Sequence, residues 1–401
     1  MKITLIGAGA IGSAMALELN RMPEVTSLQV CDARARALQE LHRYVQSPKL
    51  RSFQLDARDP NVLEPVLRDS NCVIGCTVPQ ANPNIAQICL SLGIHFCDLG
   101  GNDEIVYREL EMDARARERG VWIVPNCGLA PGLANILCLR AIDQFDEVEA
   151  AHVRVGDVPL NPEPPFNFRL SWTAEKVVDD YTHPVLVIED HQVTEAPPLT
   201  RQEEIHFREP FGRMEAFCTA GGLSTLIGET QGKIRNLDHK TIRWPGHVDQ
   251  MRFLLALGFG DDRKIDPRTH LTYRDVLVRR LQQHLGGTYE DAVLLRVLVK
   301  GTREGQQKTV VYQMIDTYDA ESGTTAMRRC TSIPAAIVAV MLAEGKVEGG
   351  GAAPPERIVP ADEFFRRLAE CGLKIEQWWY DGWGDVTAIR GGANGAATQI
   401  P

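Results

Sequence analysis

Three glycines near the N-terminus have the spacing of a loop that holds phosphate groups. Gly7, Gly9 and Gly12 form the pattern GxGxxG between an apolar run at 2–6 and a helical pattern at 13–20. In such a loop the first glycine permits a tight turn, the second admits a pyrophosphate, and the third lets helix and strand pack closely. The first N–H groups of the helix then face the phosphates. The pattern predicts a dinucleotide site formed by Gly7, Gly9, Ala10, Ile11 and Gly12.

An aspartate at the end of the second apolar run supports the same interpretation. Asp32 follows the run 28–31 and stands twenty residues after Gly12. A carboxylate there accepts hydrogen bonds from ribose hydroxyls and repels a 2′-phosphate, so it predicts NAD rather than NADP. Arg34 and Arg36 favour NADP instead if either of them binds the 2′-phosphate. Both are also ordinary residues for a solvated helix.

Further cofactor contacts are expected where later strands end, because ligands of such sheets bind beyond the carboxyl ends of the strands. Asp56 ends a predicted third strand at 52–56, near the expected position of the adenine. Thr77 and Val78 follow a predicted fourth strand at 71–75, and we expect backbone contacts from both.

Strands and helices alternate through the first third of the chain. Predicted strands at 94–98 and 121–124 follow the four already named, with helices at about 83–92 and 103–119. This alternation predicts a doubly wound parallel sheet, the Rossmann architecture of an α/β protein.

The pattern changes after Pro125 and predicts a second, α+β domain with a mainly antiparallel sheet. We predict the following elements: helices at 128–143, 173–181, 247–258 and 273–285, and strands at 148–155, 185–189, 294–300 and 308–316. An apolar helix at 333–345 should pack back on the first domain, and a helix at 361–371 should be the last element. The predicted domains are 1–125, 126–330, a C-terminal helical part at 331–375 and a tail at 376–401, whose end, GGANGAATQIP, we expect to be frayed.

Composition narrows the class of protein. The chain has 401 residues, a net charge of −10 and no long basic run, so nucleic acid is an unexpected partner. We see no apolar stretch of about 18 residues, and therefore expect no membrane span. The ten cysteines show no metal-ligand spacing, which predicts reduced thiols, a cytoplasmic protein and no metal site. We expect a homodimer or a higher homo-oligomer.

Longer matches resemble one enzyme family. The segments LSWTAEKVVDDY (170–181), EAFCTAGGLSTL (215–226) and KTIRWPGHVDQM (240–251), with CDLGGN (97–102) and NCGLAPGLAN (126–135), resemble the saccharopine dehydrogenase family, most closely its lysine 6-dehydrogenase branch. The resemblance covers roughly 1–345. It implies NAD-dependent oxidative deamination of the ε-amino group of L-lysine to 2-aminoadipate 6-semialdehyde.

That chemistry needs groups that handle protons, because an ammonium of pKa about 10.4 must lose a proton before its carbon gives up a hydride. Asp98, after the fifth strand, is a candidate to hold the ammonium or to assist proton transfer, and is otherwise a turn residue. Lys176 is a candidate base if it is buried and neutral, while Glu175 beside it suits the first turn of a helix. His247 is a candidate proton shuttle because histidine titrates near neutral pH, although a structural role fits equally.

An amino-acid substrate also needs a partner for its carboxylate. Arg243, beside the rigid turn Trp244-Pro245-Gly246, is our first candidate because a guanidinium binds carboxylate with two hydrogen bonds. A backbone nest with hydroxyls at Gly222, Ser224 and Thr225 is a second candidate, and a helix cap is the alternative there. Cys127 and Cys218 are not expected to act as nucleophiles, since hydride transfer needs no covalent step.

Two other functions stay open. One is a saccharopine-type or carboxynorspermidine-type dehydrogenase, which a strong preference for NADPH would favour. The other is a non-catalytic nucleotide-binding sensor, which NAD binding without turnover of any amine would favour.

Overall fold

A computed structural model describes residues 1–383 and 398–400. The chain divides into two compact units. Unit 1 contains residues 1–137 and 328–373, and unit 2 contains residues 138–327 together with the described residues after 373.

Strands occur in both units. In chain order they are β1 (Lys2–Ile6), β2 (Ser27–Asp32), β3 (Leu50–Gln54), β4 (Cys72–Gly75), β5 (His95–Asp98), β6 (Trp122–Val124), β7 (Glu147–Pro159), β8 (Val185–Glu189), β9 (Gln192–Ala196), β10 (Glu203–His206), β11 (Arg213–Cys218), β12 (Ile234–Arg243), β13 (Asp291–Arg303), β14 (Gln306–Thr317), β15 (Gly351–Ala352), β16 (Glu376–Asp381) and β17 (Thr398–Gln399).

Helices separate most of the strands. In chain order they are α1 (Ala10–Arg21), α2 (Ala35–Tyr44), α3 (Pro60–Leu67), α4 (Asn82–Leu92), α5 (Asp103–Leu110), α6 (Asp113–Arg119), α7 (Leu133–Ile142), α8 (Ala174–Thr182), α9 (Leu226–Thr230), α10 (His247–Ala256), α11 (Tyr273–Leu285), α12 (Ala326–Ala343), α13 (Pro355–Ile358) and α14 (Ala361–Glu370).

Unit 1 contains the predicted doubly wound sheet. Its strand order is β15-β6-β5-β4-β1-β2-β3, and every pairing between neighbours is parallel. The order reverses at β1, which lies between β4 and β2, and this is the point where ligands of doubly wound sheets bind. Apolar residues of β4, β5, β6 and α4 form a buried core on one side of the sheet.

The chain returns to unit 1 after residue 327. β15 joins the sheet beside β6, and the Trp122 indole N–H donates to the Val347 carbonyl at 3.2 Å. The apolar helix begins at Ala326, seven residues before the predicted start. We expected no apolar segment long enough to span a membrane, but α12 has the length and composition of such a segment. Because 78% of these 18 residues is buried inside the structure, α12 is typical of a core helix.

Unit 2 contains the predicted mainly antiparallel sheet. Its ten described strands have the order β10-β11-β12-β7-β13-β14-β16-β17, with β8 paired to β12 and β9. Only β7 and β12 pair in parallel among these. An apolar cluster of α8, α10, α11 and Phe217 of β11 packs against one face, which we call the helix face. The residues of unit 2 that are described below lie on or beside this face.

Three local predictions were wrong. The charged segment 103–119 forms two helices, because α5 ends at Leu110 and α6 begins at Asp113. The helix predicted from 128 begins at Leu133, since Gly128 and Gly132 approach so closely that a Cβ on Gly132 would lie 2.2 Å from the Gly128 carbonyl oxygen. The helix at 361–370 is not the last element, because β16 follows it and pairs with β14. Of the end expected to be frayed, residues 391–397 and 401 lie outside the described residues.

Candidate functional site

The β1–α1 loop in unit 1 has room for only glycine at two of its three motif positions. Gly7 has φ of 115°, and a Cβ there would lie 2.1 Å from the Cys76 carbonyl oxygen. A Cβ on Gly12 would lie 2.0 Å from the Gly7 carbonyl oxygen. The loop is therefore held tightly against the end of β4, and helix α1 against the loop.

Gly9 faces open space instead. A Cβ there would meet only the tip of the Arg34 side chain, at 3.9 Å. Gly9 is the N-cap of α1, whose twelve residues have no acidic side chain in the first turn. The N–H groups of Ala10 and Ile11 and the positive end of the helix dipole thus meet no competing carboxylate of that turn. These residues fit the pyrophosphate of a dinucleotide.

Asp32 stands beside this loop with its carboxylate held by four hydrogen bonds. It accepts from the Ala8 N–H at 2.8 Å and from the backbone N–H and guanidinium of Arg34 at 2.8 to 3.1 Å. Burial raises the pKa of Asp32, but the bonds from Arg34 and Ala8 outweigh it and hold the pKa below its usual value. Arg34 is thus at the predicted ribose position, whereas Arg36 is exposed and pairs with Glu40.

The other cofactor candidates lie beyond neighbouring strand ends. Thr77 and Val78 follow the end of β4. Just before them, the Cys76 N–H donates to the Ile6 carbonyl at 2.8 Å, which ties this segment to the end of β1. The Val78 side chain is 58% exposed, so it is an apolar surface available at this edge. Asp56 lies two residues beyond β3 and pairs with Arg58, whose hydrogen bonds lower the pKa of Asp56 to about 2.

Asp98 does not offer its carboxylate to a ligand in this structure. It has no exposed surface, and it accepts from the Asn82 side chain at 2.7 Å, the Gly100 N–H at 2.8 Å and the Asn126 N–H at 3.3 Å. The predicted contact with a substrate ammonium is therefore not what the geometry supports. Asp98 instead organises the loop after β5, where a Cβ on Gly100 would lie 1.8 Å from the Asn126 side-chain oxygen.

A second buried carboxyl, which the sequence analysis missed, lies against Asp98. Glu109 of α5 is fully buried. Burial, reinforced by the negative charge of Asp98, raises the pKa of Glu109 far above its usual range, and burial raises that of Asp98 as well. Glu109 is therefore protonated at neutral pH and donates to Asp98, which attaches α5 to β5.

In unit 2, Arg243 ends β12 on the helix face with a buried, incompletely bonded guanidinium. The residue is 1% exposed, and its Nη1 donates to the carbonyls of Asp157 at 3.2 Å and Ile242 at 3.0 Å. Its Nε and Nη2 make no well-formed hydrogen bond among residues 1–383 and 398–400, although the guanidinium also interacts with the Tyr181 hydroxyl. The guanidinium carbon lies 4.8 Å from the centre of the Phe168 ring and 5.4 Å from that of Trp172. Two ring contacts and an open edge suit a planar anion such as carboxylate.

His247, four residues on, opens α10 and lies beside the same rings. Its Nε2 is 3.0 Å from the Tyr181 hydroxyl, and its ring centre is 4.6 Å from that of Phe168. Burial, and then the positive charge of Arg243, lower the pKa of His247 to about 3. The expectation that this side chain titrates near neutral pH was wrong: without a ligand it is a neutral imidazole.

Lys176 forms an ion pair and is partly exposed, so it is not the buried base that the sequence analysis considered. Its ammonium pairs with Asp180 one helical turn along α8, and its side chain is 36% exposed. Both atoms of the pair lie against Gly221, where a Cβ would be 3.0 Å from Lys176 Nζ. Glu175 is the acidic residue of the first turn of α8, as the alternative interpretation proposed.

The Gly222–Thr225 segment is a packed turn. A Cβ on Gly222 would lie 2.4 Å from the His239 ring, so this glycine covers an imidazole. Ser224 has φ of 40°, Thr225 is buried, and both residues have partners of their own. The helix that follows, α9, has five residues. Thr225 is the N-cap residue of α9 but makes no side-chain cap hydrogen bond, so the segment is a packed turn that shows neither the anion nest nor a side-chain helix cap.

Glu215 positions both Arg243 and His247 and was missed by the sequence analysis. This buried residue of β11 accepts from the Gly246 N–H at 3.0 Å and the Val248 N–H at 2.8 Å. Glu215 lies opposite Arg243 on the neighbouring strand β12, and its carboxylate caps the N-terminus of α10, which begins at His247. The contact joins residues 33 positions apart in sequence, so no local pattern indicates it.

The ten cysteines are mostly buried, and none is in a disulfide. All ten cysteines are free, and burial raises the pKa of Cys127 and Cys218, which disfavours a thiolate nucleophile at either. Within the described part of the chain, no group of three His, Cys, Asp or Glu residues is arranged to hold a metal ion.

Family models match both units in sequence. The saccharopine dehydrogenase NADP binding domain matches residues 3–124, and the saccharopine dehydrogenase C-terminal domain matches residues 128–373. Carboxyaminopropylagmatine dehydrogenase of Synechocystis is 21% identical over 392 residues, which cover 93% of this chain and 96% of that protein.

Solved structures show the same fold at low identity. Saccharopine dehydrogenase (L-Glu forming) from Saccharomyces cerevisiae has a TM-score of 0.77 at 15% identity, covering 94% of this chain and 99% of its own. Homospermidine synthase from Legionella pneumophila, in complex with NAD, has a TM-score of 0.66 at 12% identity, covering 95% of this chain and 91% of its own.

Proposed function

The chain belongs to the saccharopine dehydrogenase family of oxidoreductases, and from that premise we propose that it oxidises the CH–NH bond of an amine that carries a carboxylate. A nicotinamide dinucleotide is the hydride acceptor, and L-lysine, oxidised at its ε-carbon, is the first candidate substrate. NAD is the proposed cofactor because Asp32 places a carboxylate beside the dinucleotide loop.

The open edge of Arg243 is the observation that carries this proposal. A buried guanidinium without an anionic partner is unfavourable, so proteins keep such groups where a ligand completes them. Arg243 makes no well-formed hydrogen bond through Nε or Nη2 within the described residues, and its guanidinium lies against two aromatic rings. A substrate carboxylate supplies the two missing acceptors in one plane.

Arg243 also connects substrate binding with proton handling. Its charge is the second cause, after burial, of the low pKa of His247. A carboxylate bound to Arg243 offsets that charge, so substrate binding raises the pKa of His247 and makes the imidazole a better base. The Tyr181 hydroxyl at 3.0 Å orients the ring. His247 then accepts a proton from the substrate nitrogen as the adjacent carbon loses its hydride, and water opens the resulting imine to an aldehyde and an amine or ammonia.

Carboxylated secondary amines of the saccharopine or carboxynorspermidine type are the second candidate. The observation that favours them is the similarity, over nearly the whole chain, to carboxyaminopropylagmatine dehydrogenase and to saccharopine dehydrogenase. Both candidate classes carry the carboxylate that the Arg243 hypothesis requires.

A substrate screen that follows NADH absorbance tests the proposal. L-Lysine, L-saccharopine and carboxynorspermidine should each be assayed with NAD and with NADP, with cadaverine as the substrate that lacks a carboxylate. We expect turnover of at least one carboxylated amine and much slower turnover of cadaverine. Tight NAD binding with no amine turnover contradicts the proposal and supports a non-catalytic sensor.

A further inference from the structure

The Asp98 carboxylate connects three segments of unit 1 at the carboxyl edge of the parallel sheet. Its Oδ2 accepts from the Asn82 side chain, which opens α4, and its Oδ1 accepts from the N–H groups of Gly100 after β5 and Asn126 after β6. The Asp98 backbone carbonyl also accepts from the Cys127 N–H at 2.7 Å. One residue therefore fixes the segments that follow β4, β5 and β6 relative to one another.

The same segments pack too closely for a side chain at two positions. A Cβ on Gly75, the last residue of β4, would lie 2.6 Å from the Asn82 side-chain oxygen, and a Cβ on Gly100 would lie 1.8 Å from that of Asn126. Asn126 itself is fully buried and has φ of 64°, in the left-handed region. A residue other than glycine keeps that conformation only where its surroundings fix it, and such residues cluster at functional sites.

This network lies in the half of the sheet where the nicotinamide is expected. The strand order β3-β2-β1-β4-β5-β6 is that of two mononucleotide-binding halves that meet between β1 and β4. Asp32 ends β2, and a carboxylate at that position typically binds the adenosine ribose, which assigns the adenosine to the half formed by β1, β2 and β3. The nicotinamide riboside should then lie beyond β4, β5 and β6, beside the segments that Asp98 connects.

Glu109 of α5 completes the set of donors around the Asp98 carboxylate. Both residues are fully buried, and burial together with the charge of Asp98 raises the pKa of Glu109, so Glu109 keeps its proton and donates a hydrogen bond. A carboxylate can accept from all four donors at once. An amide in its place must turn its NH2 group toward at least one of them. Asp98 is therefore not interchangeable with asparagine, although the two side chains have the same shape.

We propose that Asp98 and Glu109 are positioning residues for the nicotinamide half of the dinucleotide. Through Asn82, Gly100 and Asn126 they hold the surface against which the nicotinamide riboside binds. Neither of the two acids touches the cofactor, because neither has exposed surface. The inference rests on the proposed function, which requires a nicotinamide dinucleotide, and it deepens that function by naming the residues that keep the reacting ring in place.

Two ligands separate the halves of the dinucleotide. NADH contains both halves, whereas ADP contains the adenosine and the pyrophosphate without the nicotinamide riboside. Binding of each to the full chain should be measured by isothermal titration calorimetry, which does not depend on amine turnover. Asp98→Asn should weaken NADH binding at least about tenfold and change ADP affinity by less than about threefold, because only the nicotinamide half loses its support. Asp32→Ala, at the adenosine ribose, should weaken both ligands together.

Variants of Glu109 test its part as a donor. Glu109→Gln still donates a hydrogen bond to Asp98 and should keep NADH affinity within about threefold of that of the unmodified protein. Glu109→Met cannot donate and should weaken NADH binding several-fold with ADP affinity unchanged. Glu111→Met, at the exposed residue that follows α5, is the matched control and should change neither affinity.

The outcomes are distinct. Equal weakening of NADH and ADP binding in Asp98→Asn overturns the inference, because Asp98 then supports unit 1 as a whole, and unchanged affinities overturn it as well. If Asp98→Asn does not fold, Glu109→Met carries the same test. Loss of NADH binding in Glu109→Gln as large as in Glu109→Met refutes the role of Glu109 as a donor. The expected pattern in a protein that oxidises no amine refutes the proposed function alone, whereas NADH binding no tighter than ADP binding in the unmodified protein refutes the inference.

Discussion

Asp32 and Arg34 are the residues that we propose determine the choice between NAD and NADP. The carboxylate is held next to the dinucleotide loop by the Ala8 N–H, and the arginine that pairs with it is 68% exposed. We expect the unmodified protein to bind NADH at least about tenfold tighter than NADPH, since the carboxylate repels a 2′-phosphate.

Replacing that carboxylate should erode the preference. Asp32→Ala leaves Arg34 available for the 2′-phosphate, so the two affinities should approach each other to within about threefold. Arg36→Ala, which removes an exposed arginine paired with Glu40, is the control and should change neither affinity. Fluorescence titration with NADH and NADPH measures this. NADPH binding to the unmodified protein as tight as that of NADH would show that Arg34 rather than Asp32 determines cofactor choice.

Glu109 predicts a pH dependence of stability. An unfolded glutamate loses its proton near pH 4.3, whereas folded Glu109 keeps it to much higher pH because it is buried against Asp98. Above pH 4.3 the unfolded state therefore binds fewer protons than the folded state, and the free energy of unfolding falls as pH rises by up to about 1.4 kcal/mol per pH unit.

Glu109→Gln should remove this contribution. The amide cannot ionise and still donates to Asp98, so the unfolding free energy should fall less steeply between about pH 6 and pH 8. Urea unfolding of both proteins across that range provides the measurement. Glu111→Gln, on an exposed neighbour, serves as the control. Identical slopes for the unmodified protein and Glu109→Gln would mean that Glu109 is already ionised in the folded state.

At this scale, local spacing found some residues and could not find others. Gly7, Gly12 and Asp32 follow from one short segment, and the structure places them together. Glu109 and Glu215 act through contacts with residues distant in sequence, so their roles depend on the completed fold. The pKa of His247 was misjudged for the same reason, because its low value depends on burial and on Arg243.

At the scale of elements, α10 depends on a carboxylate from another strand. Gly246 is its N-cap and provides no side chain, and Glu215 of β11 accepts from the Gly246 and Val248 N–H groups instead. Glu215→Gln removes the charge that complements the helix N-terminus and should lower stability by about 1 kcal/mol. Because the same contact positions Arg243 and His247, kcat/KM for the amine should fall about tenfold or more.

The control for this prediction is Glu204→Gln, which changes the exposed residue opposite Glu215 in the sheet register. It should alter neither stability nor kcat/KM. Chemical denaturation and steady-state kinetics decide the matter. A Glu215→Gln protein that is destabilised but fully active would show that Glu215 caps α10 without controlling the position of Arg243, which contradicts the second part of the prediction.

Periodicity predicted elements well where a segment has one exposed and one buried face. Helix α11 (Tyr273–Leu285) and strand β8 (Val185–Glu189) have the predicted bounds. The charged segment 103–119 has the pattern of one continuous helix because polar residues continue through the break. β16 was missed because its aromatic residues, Trp378 and Trp379, gave no alternation that could be recognised, and the strand exists by pairing with β14, more than sixty residues earlier in sequence.

At the scale of the whole molecule, the C-terminal part of the chain completes unit 1. β15 adds a strand to the parallel sheet, and Phe364 of α14 is fully buried. Phe364→Ala should cost about 3–5 kcal/mol of stability and lower the thermal midpoint of the unit that contains the dinucleotide-binding domain. Phe253→Ala, at a side chain that is 65% exposed on α10, should have little effect. Thermal unfolding with and without NADH tests this, and equal midpoints for the two variants would contradict it.

We propose that unit 1 binds the dinucleotide and that unit 2 binds the substrate carboxylate, and one variant tests this proposal most directly. Arg243→Met removes the guanidinium that we propose as the carboxylate partner, at a cost of roughly 2–5 kcal/mol of binding or transition-state energy. Steady-state kinetics of the unmodified and variant proteins with the carboxylated amine and with cadaverine, together with NADH titration, provide the measurement. We predict at least about a thirtyfold fall in kcat/KM for the carboxylated amine, with NADH affinity nearly unchanged and cadaverine turnover unchanged or faster, because loss of the Arg243 charge also raises the pKa of His247. A change within about threefold for the carboxylated amine, or an equal loss of NADH affinity, would contradict the account.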